Sequence, residues 1–352
     1  ALAAGVFVCS LAVSRAPAPP APAAASGLAE IGRASAPSVS LYCFALMLPF
    51  GHELELMRLQ ARLRVGLFSC DAHTVFSNET LELGNSGLRF ARTVKIPGNL
   101  VVSYNTWTWP NSNLALNTGV FLRVWRAVFE LGIFLNYDWT VKLDPDTVFF
   151  PARLRPRLRG LLPEDKAGPQ VLVCENCSLP GYEHESCASH ARWVQRQGKS
   201  CPAALRTIAQ GPPEDCGCCS CGELACRNPR MVYLRNCCCN MDGPDAPLGP
   251  ALHGPVEVLS REAVSSLSSG LASCAGNLSE TFGQFGEDWF LEHCLTSLGV
   301  NPIDDWSMLS DQHCMPGGAR VSCETSQAAF QPFKTVPGYL ACMRTSATLD
   351  VG

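Results

Sequence analysis

One stretch constrains this chain more than any other. Residues 138–150 read Asp-Trp-Thr-Val-Lys-Leu-Asp-Pro-Asp-Thr-Val-Phe-Phe. Trp139, Val141 and Leu143 alternate with Thr140 and Lys142, the period-two pattern of a half-buried β-strand. The strand runs into Asp144-Pro145-Asp146. Pro145 has no N–H for a ladder bond, so regular pairing stops there. Two carboxylates at i and i+2 on extended chain point the same way. They put two hard oxygen donors at the end of a buried strand, a setting suited to Mg²⁺ or Mn²⁺. Lys142 lies beside them, within reach of a phosphate. Asp-Pro-Asp is also ordinary turn chemistry, and the flanking elements decide between the two.

Those elements alternate. Residues 40–48 form a continuous apolar run of strand length, and residues 52–63 carry Leu56, Leu59 and Leu63 at helical spacing. Residues 65–70 are a second apolar run, expected to be a strand that ends at Asp71. In a parallel sheet, ligands bind outside the carboxyl ends of the strands. Asp71 is therefore a candidate for a ribose or base, with a turn cap as the plain alternative. Residues 93–96 suggest a short strand. Trp107 and Trp109 flank an Asn- and Pro-rich loop, where they would stack on a sugar or pack on the surface. Val120, Val124 and Val128, joined by Phe121 and Trp125, define a helix. Asn117 or Thr118 caps its start and Gly132 marks its end. Repeated β-α units of this kind predict an α/β fold with a mixed, mainly parallel sheet flanked by helices.

The second half adds two further signals. Residues 253–264 read as a strand over 256–259 followed by a helix, with Ser260 as N-cap and Glu262 in the first turn. Phe285-Gly286-Glu287-Asp288-Trp289-Phe290 opens another helix, with Leu291, Cys294, Leu295 and Leu298 at i, i+3, i+4 and i+7. Glu287 and Asp288 complement the helix dipole, or one of them is a general base at a pocket rim. Lys334, after Phe330-Gln331-Pro332-Phe333, is a candidate phosphate contact or a solvated charge. The arginines at 153, 155, 157 and 159 read as a solvated surface.

Cysteine use bears on the compartment. The chain of 352 residues has 20 cysteines and N-x-S/T sequons at Asn78, Asn176 and Asn277. Together they favour an oxidising secretory compartment. Twelve of the cysteines fall in 174–239. This stretch reads as an insertion held by disulfides, with a zinc module on Cys174, Cys177, His184 and His190 as the rival. The opening apolar residues 1–13 suit the tail of a signal peptide or membrane anchor, or an ordinary chain start, and 16–25 is a Pro/Ala-rich stem. The expected division is 1–37, anchor remnant plus stem, and 38–352, one domain interrupted at about 174–240. A net charge of −4 without a long basic run argues against a nucleic-acid partner.

Taken in order, the Asp144-Pro145-Asp146 segment after its strand, the Gly254-Pro-Val-Glu-Val-Leu-Ser-Arg261 strand-to-helix segment and the Gly286-Glu-Asp-Trp-Phe290 helix start resemble the GT-A-fold nucleotide-sugar glycosyltransferases. The last two are similar to the β-1,3-galactosyltransferase and fringe-like enzymes, and the whole to hexosyltransferase-like proteins of protists. The resemblance implies a GT-A (Rossmann-like) fold and a Mn²⁺ or Mg²⁺ ion held by Asp144 and Asp146. It implies a UDP-sugar donor, an acceptor on a glycan or glycoprotein, and inversion with Asp288 as base and Glu287 as its alternate. Asp71, Lys142 and Lys334 would then contact the nucleotide, and Trp289 would line the acceptor wall. The implied location is the Golgi lumen, with type II anchoring or secretion as options. Gln331 stands where many such enzymes carry a metal-binding His, and His313 is a possible substitute. Two other classes remain: a catalytically inactive carbohydrate-binding or adhesion protein on the same fold, and a zinc-binding interaction protein.

Overall fold

Alternation along the first strand sorts its side chains onto two sheet faces. Leu41, Cys43 and Ala45 pack in one apolar cluster and Tyr42 and Phe44 in another. The computed structural model of the chain describes residues 39–85, 90–105, 114–163, 170–171, 190–191, 193–194, 197, 199, 201–209, 226–238, 251–314 and 320–350. The chain divides between Pro37 and Ser38, and the described residues all belong to Ser38–Gly352. The first cluster takes Met57 and Ala61 from the helix Gly51–Leu63, and Leu154 and Leu158 from Pro151–Leu158. The second takes Phe121, Val124, Trp125 and Val128 from Thr118–Leu131, Val264 and Leu267 from Arg261–Asn277, and Phe290 and Leu291 from Glu287–Ser297. Helices therefore cover both faces of one sheet, as the βα pattern demands. Each fully buried side chain of this size stabilises the fold by roughly 1.5–3 kcal/mol.

The sheet has eight strands, in the spatial order Asn301–Asp304, Val232–Arg235, Val256–Ser260, Trp139–Leu143, Leu41–Leu46, Ala72–Ser77, Phe90–Lys95 and Glu82–Asn85. Val256–Ser260 runs antiparallel to both neighbours, and Glu82–Asn85 runs antiparallel to Phe90–Lys95. The remaining pairings are parallel. The fold is thus α/β with a mixed, mostly parallel sheet. From Leu41–Leu46 the chain goes to Ala72–Ser77 on one side and returns to Trp139–Leu143 on the other. That reversal is a topological switch point, and ligand crevices open at the carboxyl ends of the strands that flank it. Ala45 is opposite Leu143 in the register, so Asp144 leaves the sheet at that crevice.

A smaller sheet completes the crevice. Val148–Phe149 pairs antiparallel with Ala329–Gln331, which pairs parallel with Leu309–Asp311. Asp311 and Gln331 are register partners. Two segments far apart in sequence thereby come beside the Asp144–Asp146 turn.

Several expectations are corrected. The apolar run 65–70 is a 3-10 turn, Gly66–Ser69, not a strand. Arg64 at φ 55 caps the preceding helix in the left-handed region, and Gly66 at φ 57 turns the chain again. The strand starts only at Ala72, so Asp71 lies at its amino end. Asn117 sits at the N-cap of Thr118–Leu131 but its side chain makes no cap bond there. Its Oδ1 instead accepts from the Glu287 N–H at 2.9 Å, which joins two helices. Ser260 caps as expected, accepting from Ala263 N–H at 3.2 Å. The arginines of Pro151–Leu158 are partnered: Arg153 with Asp350, Arg155 with Asp71 and Arg157 with Asp305.

Four disulfides join described residues: Cys43–Cys70, Cys237–Cys314, Cys274–Cys294 and Cys323–Cys342. Cys237 therefore pairs outside the cysteine-rich stretch and ties it to the rest of the domain. The rest of its pairing, the zinc alternative and Trp107 and Trp109 lie outside the described residues. Disulfides fit a secreted or lumenal compartment. Among the described residues no helix is long and apolar enough to cross a membrane.

Candidate functional site

The turn after Leu143 is fixed from three sides. Asp144 N–H donates to Pro255 O at 3.1 Å, and Thr147 N–H to Asp144 O at 3.1 Å. Gln60 Nε2, from the first helix, donates to Pro145 O at 2.9 Å. The two carboxylates are thus set by packed secondary structure and not by a free loop. Gln331 Nε2 donates to Asp144 Oδ2 at 3.3 Å and to Asp146 Oδ1 at 3.1 Å. All three side chains converge on one point. Phe333 N–H binds Asp146 O at 3.0 Å, which holds the segment carrying Lys334 against the same turn.

This donor set fits a hard divalent cation. Two carboxylates supply anionic oxygens. The Gln331 amide, turned end for end, presents its carbonyl oxygen in place of its NH₂. Burial, and after it the charge of Asp144, pushes the Asp146 carboxyl above the usual range. A third carboxylate, missed in the sequence, belongs to the cluster. Glu53 accepts from Leu48 N–H at 2.7 Å. Burial raises its pKa to about 7, opposed by that hydrogen bond and helped by the charges of Asp144 and Asp146. Its only sequence signal was an acidic residue in a helix first turn. Lys334 is exposed, and its charge lowers both Asp146 and Glu53. It is placed to meet an anion held over the cradle.

Lys142 has a different place from the one expected. Its side chain is 1% exposed. The Nζ contacts Glu287 Oε1, Gly254 O at 2.8 Å, Asp144 Oδ1 at 3.0 Å and Glu257 Oε1 at 3.7 Å. It also lies 4.5 Å from the Phe121 ring centroid. Burial acts to lower its pKa, but Asp144, Glu287 and Glu257 outweigh it and raise the pKa well above the ordinary value. Lys142 is a buried ammonium that ties the central strand to its antiparallel neighbour and to the helix Glu287–Ser297. It has no surface to offer a phosphate. Burial, then the charge of Glu287, holds the Glu257 carboxyl far above its usual range.

The two acidic residues at the start of Glu287–Ser297 have separate environments. Glu287 faces inward onto Lys142, with a side chain 5% exposed. Asp288 is at the rim, with a side chain 27% exposed. Glu287 is therefore the buried member of the pair and Asp288 the partly exposed one. Asp288 Oδ2 accepts from Gly254 N–H at 3.2 Å, and Oδ1 from Trp289 N–H at 2.8 Å. Burial pushes Asp288 up, but the neighbouring His253 and these bonds prevail and its pKa is lowered. A Cβ on Gly254 would lie 3.5–3.6 Å from Glu287, Lys142 and Asp288. The glycine therefore marks where the Lys142 cluster and Asp288 meet.

The remaining candidates lie elsewhere. Asp71 accepts from Leu41 N–H at 2.6 Å and Arg155 at 2.8 Å, at the amino end of the sheet opposite Asp144. It is a structural ion-pair partner and not a nucleotide contact. Trp289 stacks with Phe285 at 4.4 Å and His293 at 3.7 Å between centroids, one helical turn to either side in sequence. His313 lies beside His253, 6.2 Å between ring centroids, on the Asp288 side of the crevice. No protein-family model and no curated protein matches this chain.

Proposed function

We propose that this protein is a metal-dependent glycosyltransferase of the GT-A class. It would move a hexose from a nucleotide sugar, UDP-linked in the first instance, to a hydroxyl of a glycan or glycoprotein. One observation carries the reading: Asp144, Asp146 and Gln331 converge at the carboxyl end of a switch-point strand, with Asp288 on the neighbouring rim. The mixed, mostly parallel sheet supports the class. The disulfides fit its lumenal or secreted setting, here the Golgi lumen.

Asp144, Asp146 and the Gln331 carbonyl would hold Mn²⁺ or Mg²⁺, which when bound supplies Lewis-acid neutralisation of a departing diphosphate. Lys334 adds an exposed positive charge beside the same point. Asp288 takes the proton from the acceptor hydroxyl as its oxygen attacks the anomeric carbon. The bond from that carbon to the diphosphate oxygen breaks, and the electron pair leaves with the nucleoside diphosphate. A single displacement inverts the anomeric configuration. The lowered pKa of Asp288 keeps it ionised and ready at neutral pH.

The test is nucleotide release by the purified full chain from a panel of UDP-sugars with Mn²⁺. Release is expected, with loss on adding EDTA and recovery on adding excess Mn²⁺. Silence with both UDP- and GDP-sugars from folded protein would contradict the enzyme reading.

A further inference from the structure

His253 was not assigned any role by the sequence, and it occupies a bridging position. Its Nδ1 lies 3.5 Å from Asp288 Oδ2 and its Nε2 lies 3.6 Å from Asp311 Oδ1. The backbone on either side is held. His253 N–H donates to Asn236 Oδ1 at 2.7 Å, and Asn236 Nδ2 donates to His253 O at 3.0 Å. Asp311 is fully buried. Its Oδ1 accepts from His313 N–H at 2.7 Å, and its strand is tied through Cys314 to Cys237. The ring therefore sits at ion-pair distance from a carboxylate on each side, on a backbone held by Asn236.

We propose that His253 is the positioning residue of the site: its ring, set between Asp311 and Asp288, orients the Asp288 carboxylate at the rim. The proposal rests on the glycosyltransferase reading for what Asp288 does. The groups facing the ring are Asp288 from the helix Glu287–Ser297, Asp311 from its strand, and His313 from the turn after it. Beyond Gly254 stand Lys142 and Glu287. Two carboxylates against one ring favour the charged form. Burial opposes this, but Asp288 and Asp311 raise the His253 pKa to about 10. The anchor has a second consequence. Asp311 is the register partner of Gln331, so one short strand pair sets both the cation cradle and the orientation of the base. His253, Asp311 and Cys314 also have the spacing of a metal site. Cys314 is in a disulfide, so its sulfur is not a thiolate ligand, and the ion-pair reading is the one the chemistry allows.

A sign follows for pH. The folded pKa of His253 is above its unfolded value of about 6.5. Its contribution to stability is complete below about 6.5 and fades as pH rises through about 10.

The experiment pairs a titration with an assay on the full chain. Ring-selective NMR of wild-type protein should show one histidine, absent in His253→Gln, still protonated at pH 8. In Asp311→Asn that ring should titrate at least one unit lower. A wild-type His253 that titrates near 6.5 overturns the bridge, whatever the activity. In the transfer assay, His253→Gln should lower kcat about tenfold or more with donor KM unchanged. Its acid limb should move to higher pH, because Asp288 loses the charge that depresses its pKa. Asp311→Asn, close to isosteric, should give a smaller shift in the same direction. Unchanged kcat and an unmoved acid limb in a folded, active background overturn the positioning role. A wild type that transfers nothing while His253 stays charged overturns the enzyme reading and the role with it, and leaves the bridge standing as structure.

Discussion

Lys142→Met should lose about 3–5 kcal/mol of stability at neutral pH, a large part of the 5–15 kcal/mol typical of a domain. Methionine keeps an unbranched apolar stem of nearly the same length and removes the ammonium with its contact to the Phe121 ring. Glu287 and Asp144 then lose their shared cation, and the Gly254 carbonyl loses its donor. An uncompensated buried carboxylate, here Glu287, is the costly outcome when one partner of an ion pair is removed. The deficit should shrink as pH falls, because burial already raises the Glu287 carboxyl and, without its cation, it takes up a proton more readily. Chemical denaturation at pH 7.5 and pH 5 measures both effects. Lys95→Met, at an exposed position, is the control and should be near neutral. A Lys142→Met protein as stable as wild type at pH 7.5 would mean that the buried cluster does not hold these strands together.

Asp288→Asn should reduce transfer by roughly 10²–10⁴ in kcat, the range for losing a general base. The amide is nearly isosteric. It can still accept from Trp289 N–H through its oxygen, so the helix start should survive. Donor binding should change little, because Asp288 makes no contact with the Asp144, Asp146 and Gln331 side chains among its described hydrogen bonds. Separate measurement of kcat and donor Kd distinguishes a lost base from a lost site. Transfer within threefold of wild type would remove Asp288 from the chemistry.

The sequence made the sheet legible where patterns were local. The alternation at 139–143 and the apolar run at 40–48 became the two strands that flank the crevice. The helices at 118–131 and 287–297 followed from their periodicity, and that at 261–277 from its Ser260 cap and first-turn Glu262. The short run at 65–70 misled, because apolar content alone does not distinguish a strand from a turn that buries Leu67 and Phe68. That error carried Asp71 to the wrong end of the sheet. The site was legible as residue types but not as pairings. Lys142 was read by adjacency to Asp144, which is one of its partners, but the others are Glu257 across a strand pair and Glu287 across 145 residues. The bonds from Gln331 to Asp144 and Asp146 also span more than 180 residues. Glu53, His253 and Asp311 are ordinary in sequence and gain their roles only from the strand order.

The central claim is that Asp144, Asp146 and Gln331 form a cation-dependent site for a nucleoside diphosphate. Its most direct test is calorimetric titration of the purified chain with UDP, with and without Mn²⁺, beside an Asp144→Ala/Asp146→Ala protein. Saturable binding that needs both the metal and the two aspartates is the expected result. Binding that is equally strong in the double variant, or absent from folded wild-type protein with both UDP and GDP, would contradict it.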